Sequence, residues 1–159
     1  MAEPTHLILR TSEQTAELAR ALAPLLGSGD VLLLSGSIGA GKTHFARALI
    51  QHRLARTGRV EDVPSPTFTL VQVYDDDLVE IWHADLYRLS SPDDVTELGL
   101  DEAFETAIVL VEWPDRLGSD APGDACRIDF EYLPEGRSVK ISWSDPRRDE
   151  WLSVFHAHS

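Results

Sequence analysis

The segment Gly36-Ser37-Ile38-Gly39-Ala40-Gly41-Lys42-Thr43 places glycines, a lysine and a hydroxyl residue at the spacing G-x-x-x-x-G-K-[ST]. That combination suits one task, the cradling of a polyphosphate. Glycines let the backbone wrap closely around phosphate oxygens, and a helix starting at the end of the loop aims its free N–H groups at them. At these positions Lys42 would reach the β- and γ-phosphates, and the Thr43 hydroxyl would bind Mg²⁺. A glycine-rich turn that merely exposes a lysine is the bland alternative. The flanking pattern argues against it, because a continuous apolar run, Val31 to Leu34, precedes the loop and a helical pattern follows at once.

Such a loop needs a carboxylate at the end of another buried strand. Ile108-Val109-Leu110-Val111-Glu112 offers four apolar residues and then an acid, so Glu112 is the candidate to hold Mg²⁺ opposite Thr43, directly or through water. In Val63-Pro64-Ser65-Pro66-Thr67-Phe68 two prolines stiffen an exposed segment, and Ser65 and Thr67 carry hydroxyls that could face a γ-phosphate. On composition alone a rigid connector explains that segment better. His83-Ala84-Asp85 closes a strand with His83 and Asp85 on one side. Asp85 reads either as a surface acid or as a group positioning attacking water, and His83 as a structural histidine.

The elements that must position these groups follow from periodicity. A short strand, Leu7 to Leu9, precedes a helix opened by Thr11 with Gln14 three places on; Leu18, Leu22, Leu25 and Leu26 continue it, and Gly27 is expected to stop it. A second helix is expected over Lys42 to Arg56, with Phe45, Leu49, Ile50 and Leu54 on one face. The period then shortens to two. Leu70 to Tyr74 and Leu78 to Trp82 read as a hairpin around Asp75-Asp76-Asp77. Ser91-Pro92 begins a short helix expected to end at Gly99. Strands are expected at 108–111, 127–132 and 138–143, the last two surrounding Gly136, and Asp145-Pro146 starts a final amphipathic segment. This alternation predicts an α/β fold in one domain spanning 1–159, a three-layer sandwich with a mixed parallel and antiparallel central sheet.

Composition limits the partners. The chain has 159 residues, with 27 acidic side chains against 14 Lys and Arg and a net charge of −13. Between residues 61 and 120, sixteen carboxylates face only Arg88 and Arg116. A surface so acidic disfavours a direct grip on nucleic acid and excludes a polybasic membrane anchor. The middle of the chain is expected to be a solvated acidic face, or else a metal site with a docking surface for a basic partner, to which Asp75 to Asp77 and Asp93 to Glu105 could contribute. A lone Cys126 permits no internal disulfide, no Cys/His spacing builds a zinc site, and no run approaches a membrane span. A cytoplasmic location is expected.

Taken together, Gly36 to Thr43, Ser65-Pro66-Thr67-Phe68, His83-Ala84-Asp85-Leu86-Tyr87-Arg88-Leu89, Leu98-Gly99-Leu100-Asp101-Glu102 and Val111-Glu112-Trp113-Pro114 resemble, in order, the motifs of the TsaE family. The likeness runs from about Thr11 to Arg137. The resemblance implies a P-loop NTPase-like fold and a Mg²⁺-dependent ATPase, weak alone and stimulated by partners. Those partners would be TsaD-like and TsaB-like subunits that threonylcarbamoylate the adenosine next to the anticodon in tRNAs reading codons that begin with A. It also implies ATP contacts at Gly36, Gly39, Ala40, Gly41, Lys42, Thr43 and His44, with Thr11 and the Gly136-Arg137 turn flanking the adenine. Mg²⁺ would lie at Thr43 and Glu112, and Lys42, Thr67 and Asp85 would support hydrolysis.

Two positions depart from the family pattern. Ser37 stands where an aspartate is common, and His44 where a second Thr or Ser is common; a changed hydrolysis rate is expected, with binding kept. Two other functions share the loop. A small-molecule kinase would need arginines to clamp both phosphates, and residues 61–120 supply two. A nucleotide-gated switch without significant hydrolysis is the other, and the absence of an N-K-x-D segment disfavours guanine.

Overall fold

The computed structural model describes residues 4–37, 40–89, 91 and 93–157. Seven strands form one sheet in the order β1-β7-β6-β2-β5-β4-β3. These are β1 (Thr5–Leu9), β2 (Val31–Gly36), β3 (Val71–Asp75), β4 (Glu80–Asp85), β5 (Ile108–Glu112), β6 (Cys126–Leu133) and β7 (Gly136–Ser142). Four central strands, β6, β2, β5 and β4, run parallel, and antiparallel pairings of β1 with β7, β7 with β6, and β3 with β4 complete both edges. The mixed sheet is therefore a parallel core with an antiparallel flank on each side.

The apolar run in β2 divides by parity. Leu32 and Leu34 pack with Phe45, Leu49 and Ile50 of α2 (Lys42–Ala55) and Leu18 and Leu22 of α1 (Ser12–Leu22), while Val31 and Leu33 pack with Leu100 and Ala103 on the opposite face. A strand covered by helices on both faces has no polar side to present, which is why its sequence runs without alternation. The three-layer α/β sandwich is the architecture expected. Cys126 is core packing in β6, and burial pushes its thiol up to about 12.

Thr11 caps α1 as its sequence predicts, accepting the Gln14 amide at 3.1 Å. Gln14 reaches back one residue further than the usual box, accepting the Arg10 amide at 2.6 Å. The helix ends at Leu22, ahead of Gly27. Pro24 cannot donate to the preceding turn, and Ala23–Leu25 tighten into a 3₁₀ turn.

Gly99 ends a short helix, as its sequence predicts, and also opens another. It lies between two helices, α3 (Asp94–Glu97) and α4 (Leu100–Thr106), and at φ 84 it is the N-cap of the latter. The proposed helix start at Pro92 lies outside the described residues. The chain closes with a 3₁₀ turn over Pro146–Trp151 and α5 (Leu152–Ala157).

The acidic hairpin is only partly a surface. Asp76 is 2% exposed and pairs with the equally buried Arg53, Nε to Oδ2 at 2.8 Å. Its other oxygen accepts the amides of Leu78 and Val79 at 3.0 and 2.9 Å. Burial alone would raise the Asp76 carboxyl, but those two amides and the guanidinium overcome it and hold the group below the ordinary carboxylate range. Asp76 thus leaves the set of partner-facing acids. Its role is to tie the β3–β4 turn to the last turn of α2, where Arg53 also donates to the carbonyls of Ala23 and Leu26.

Candidate functional site

The candidate loop leaves β2 and enters α2, as the motif requires. Gly36 has φ 140, and a Cβ there would come within 2.5 Å of the Phe130 carbonyl, so a side chain is excluded at the loop's first position. Gly41 sits at φ 106 directly before the helix, a conformation that favours glycine, and frees the amides of the first helical turn. Ala40 is fully buried, and its amide donates to the carbonyl of the exposed Ser37 at 3.1 Å. Gly39 lies outside the described residues.

Across from the helix start, β4 and β5 deliver two carboxylates side by side, because Asp85 and Glu112 are register partners. Glu112, 2% exposed, accepts the Thr43 hydroxyl on Oε1 at 2.7 Å and His83 Nε2–H on Oε2 at 2.7 Å. Asp85 accepts the Thr67 hydroxyl on Oδ2 at 3.2 Å and the Tyr87 amide on Oδ1 at 3.0 Å. Ser65 and Thr67 exchange a hydroxyl hydrogen bond at 2.7 Å. The stiffened 63–68 segment therefore reaches the site, and Asp85 is buried against it rather than being a surface acid.

Lys42, 4% exposed, donates to the Gly36 carbonyl at 2.6 Å and lies 3.7 Å from the centroid of the Trp113 ring. Burial lowers its pKa from the ordinary lysine value, and the carboxylates of Glu112, Asp85 and Asp115 pull the other way without prevailing. An incoming polyanion would supply the compensation this cation lacks. These groups line a cavity of about 450 Å³ whose walls include Lys42, Thr43, Thr67, Asp85, Glu112 and Trp113.

A second cavity of about 230 Å³ shares Gly41 and His44 with the first and is lined by Thr11, Ser12, Gly136 and Arg137. The segments expected to flank an adenine thus meet beside the loop. The backbones approach closely there, since a Cβ on Gly136 would lie 2.3 Å from the Leu9 carbonyl. His44 stands between the two cavities and donates to the Ser12 carbonyl at 2.9 Å, cross-linking the starts of α1 and α2. That use accounts locally for an imidazole at a position expected to hold a small hydroxyl.

The family model described as threonylcarbamoyl adenosine biosynthesis protein TsaE matches residues 9–139. The chain belongs to the TsaE family. The tRNA threonylcarbamoyladenosine biosynthesis protein TsaE of Rickettsia felis is 39% identical over 133 residues, 84% of this chain and 76% of that protein. The protein of the same name from Aquifex aeolicus is 38% identical over 137 residues, 86% of this chain and 94% of its own length. In the solved structures, Bacillus subtilis YdiB matches 99% of this chain and 97% of its own at a TM-score of 0.79 and 26% identity.

Within this TsaE-family chain, sequence reasoning left three cavity residues without a role: Tyr87, Arg88 and Trp113. Trp113 adopts φ 59, ψ 53, a left-handed conformation costly for a residue with a side chain, and its ring packs against Tyr87 with centroids 5.0 Å apart and the planes tilted by 52°. A signal was present in Val-Glu-Trp-Pro, where an aromatic residue directly follows the strand-ending acid. Spacing alone does not say that it turns back over the lysine.

Proposed function

We propose that this chain is the ATP-binding component of tRNA threonylcarbamoyladenosine formation, hydrolysing ATP slowly by itself and faster on a TsaD/TsaB-like partner complex. The observation that carries the reading is the Thr43–Glu112 hydrogen bond at 2.7 Å, which brings a hydroxyl and a carboxylate oxygen together at the end of a phosphate-binding loop. Both are hard oxygen donors. Among the described residues no group of three or more His, Cys, Asp and Glu could hold a metal ion. A site with so few protein ligands suits Mg²⁺, which usually takes one or two carboxylates and completes its shell with water and substrate phosphates. Bound there, Mg²⁺ would offset the charge developing on the phosphate oxygens.

The chain's own residues divide the remaining work. Lys42 leaves the Gly36 carbonyl and the Trp113 face to meet the β- and γ-phosphates, and helix α2 presents its first amides to the same anion. Asp85, steadied by Thr67 and the Tyr87 amide, orients the attacking water. Thr11, His44 and Arg137 border the space for the base. Arg88 is the one arginine among the described residues lining the phosphate cavity, which favours hydrolysis over transfer to a second phosphorylated substrate.

The acidic surface fits a subunit that leaves tRNA contact to its partners. Asp101, Glu102 and Glu105 stay exposed on α4 and offer a face for a basic partner. Among the described residues no helix is long and apolar enough to cross a membrane, and we place the work in the cytoplasm. ATP turnover with and without purified TsaD-like and TsaB-like subunits tests the reading. Release of free phosphate that rises on adding the partners supports it. Labelled phosphate appearing on a metabolite would assign the kinase function instead. ATP-dependent association with no turnover would leave a binding switch.

A further inference from the structure

We infer that His83 is a positioning residue for Glu112, setting the carboxylate so that Oε1 alone faces Thr43 and the metal position. This rests on the Mg²⁺-nucleotide reading of the site and adds a residue to it.

The two sides of the Glu112 carboxylate do different things. Oε1 accepts the Thr43 hydroxyl and Oε2 accepts His83 Nε2–H, each at 2.7 Å. With both oxygens engaged the carboxylate plane is held, and a metal arriving beside Thr43 meets Oε1 in place. Strand geometry brings the two side chains within reach, because His83 is the register partner of Leu110, two positions before Glu112. His83 shares its face of β4 with Ile81 and Asp85, and Glu112 shares its face of β5 with Ile108 and Leu110; both faces lie under α2.

Core packing does not account for an imidazole at this position. The His83 side chain is fully buried, and its Nδ1 has no hydrogen-bond partner among the described residues. Burying a polar ring with one nitrogen unsatisfied is unfavourable compared with an apolar residue of similar size. Among the described residues, the one polar contact the ring makes is to Glu112. Carboxylate ligands depend on such outer contacts, whose loss typically lowers metal affinity about 10- to 100-fold.

The test is calorimetric titration of a non-hydrolysable ATP analogue at a series of Mg²⁺ concentrations, and again with EDTA, on the full chain and two variants. His83→Leu keeps bulk and removes the donor; His83→Gln keeps an N–H near the position of Nε2. We expect His83→Leu to raise the Mg²⁺ concentration for half-maximal enhancement about 10- to 100-fold, with affinity in EDTA within about 2-fold of the parent. His83→Gln should return the Mg²⁺ response to within about 3-fold, which a purely structural role for the ring would not produce. If His83→Leu melts below the assay temperature, His83→Gln against His83→Asn, whose amide is one carbon shorter, makes the same comparison. An unchanged Mg²⁺ response in His83→Leu, or a Gln variant as impaired as the donor-less one, overturns the inference and leaves the Mg²⁺-nucleotide reading intact. A parent protein whose nucleotide binding ignores Mg²⁺ removes both.

Discussion

Asp85 and Glu112 are paired in register at the ends of parallel strands β4 and β5, yet they bond to different parts of the site. Glu112 is bonded to the helix side through Thr43, and Asp85 to the 63–68 segment through Thr67. Adjacent carboxylates with different partners can serve metal binding and water orientation without exchanging roles.

Asp85→Asn keeps the size of the side chain and most of its hydrogen bonding, but loses the charge to which the proposed function assigns the orienting of water. Turnover should fall about 100-fold with nucleotide affinity within about 3-fold, because the loss falls on the transition state. Steady-state kinetics beside equilibrium binding separates the two quantities. An affinity loss matching the rate loss would place Asp85 in ground-state binding.

Trp113 should report the movement of Lys42. The ammonium rests 3.7 Å from the ring centroid, and in the proposed function it leaves the ring to reach phosphate. Adding Mg²⁺ and ATP should therefore change tryptophan emission in the parent protein. Trp113→Phe should abolish most of that change while Trp82, Trp143 and Trp151 remain. A full-sized response in the variant would show that the signal and the contact are unrelated.

The same lysine carries a cost in stability. Burial lowers its pKa, so its charged form destabilises the fold at every pH below the lowered value, and the cost fades as pH rises through that value. Lys42→Met should therefore hold or raise the Tm at neutral pH while removing nucleotide affinity. Differential scanning calorimetry checks it. A lower Tm would mean that the Gly36 and Trp113 contacts outweigh the burial of charge.

The Arg53–Asp76 pair lines neither cavity beside the loop and should matter only to stability. Asp76→Asn leaves a buried guanidinium short of its counter-charge and should cost about 3 kcal/mol. Because the folded protein holds the Asp76 carboxyl below its ordinary value, this stability is present above the ordinary carboxylate pKa and is lost as pH falls through the lowered one. The variant should show a shallower loss of stability on acidification. Denaturant titrations at neutral and acid pH measure both effects, and parallel acid limbs would refute the pairing as a source of acid sensitivity.

The parts of the site written in contiguous residues were legible. The loop from Gly36 to Thr43, the acid ending a buried run at Glu112, and the shared side of His83 and Asp85 all follow from local spacing. Long-range pairing was not. Nothing in the spacing of 80–85 and 108–112 says that these strands are neighbours, or that His83 would meet Glu112 across 29 positions. Asp76 was hidden for a similar reason, because three consecutive aspartates read as solvated until the arginine beneath the middle one is known. Gly99 was legible as a helix stop but not as the start of a second helix, because a left-handed glycine serves either end. The turn of Trp113 depends on a backbone conformation that its residue type disfavours, and propensity cannot foretell it.

The most direct measurement is the ATP affinity of the parent, Lys42→Ala and Glu112→Gln proteins by calorimetry, each with Mg²⁺ and with EDTA. The parent should bind more tightly with Mg²⁺. Lys42→Ala should lose ATP under both conditions, and Glu112→Gln should bind equally with and without Mg²⁺, at the parent's EDTA affinity. A Glu112→Gln protein that keeps the full Mg²⁺ enhancement, or a Lys42→Ala protein that binds like the parent, would contradict the assignment of this loop and strand end as a Mg²⁺-nucleotide site.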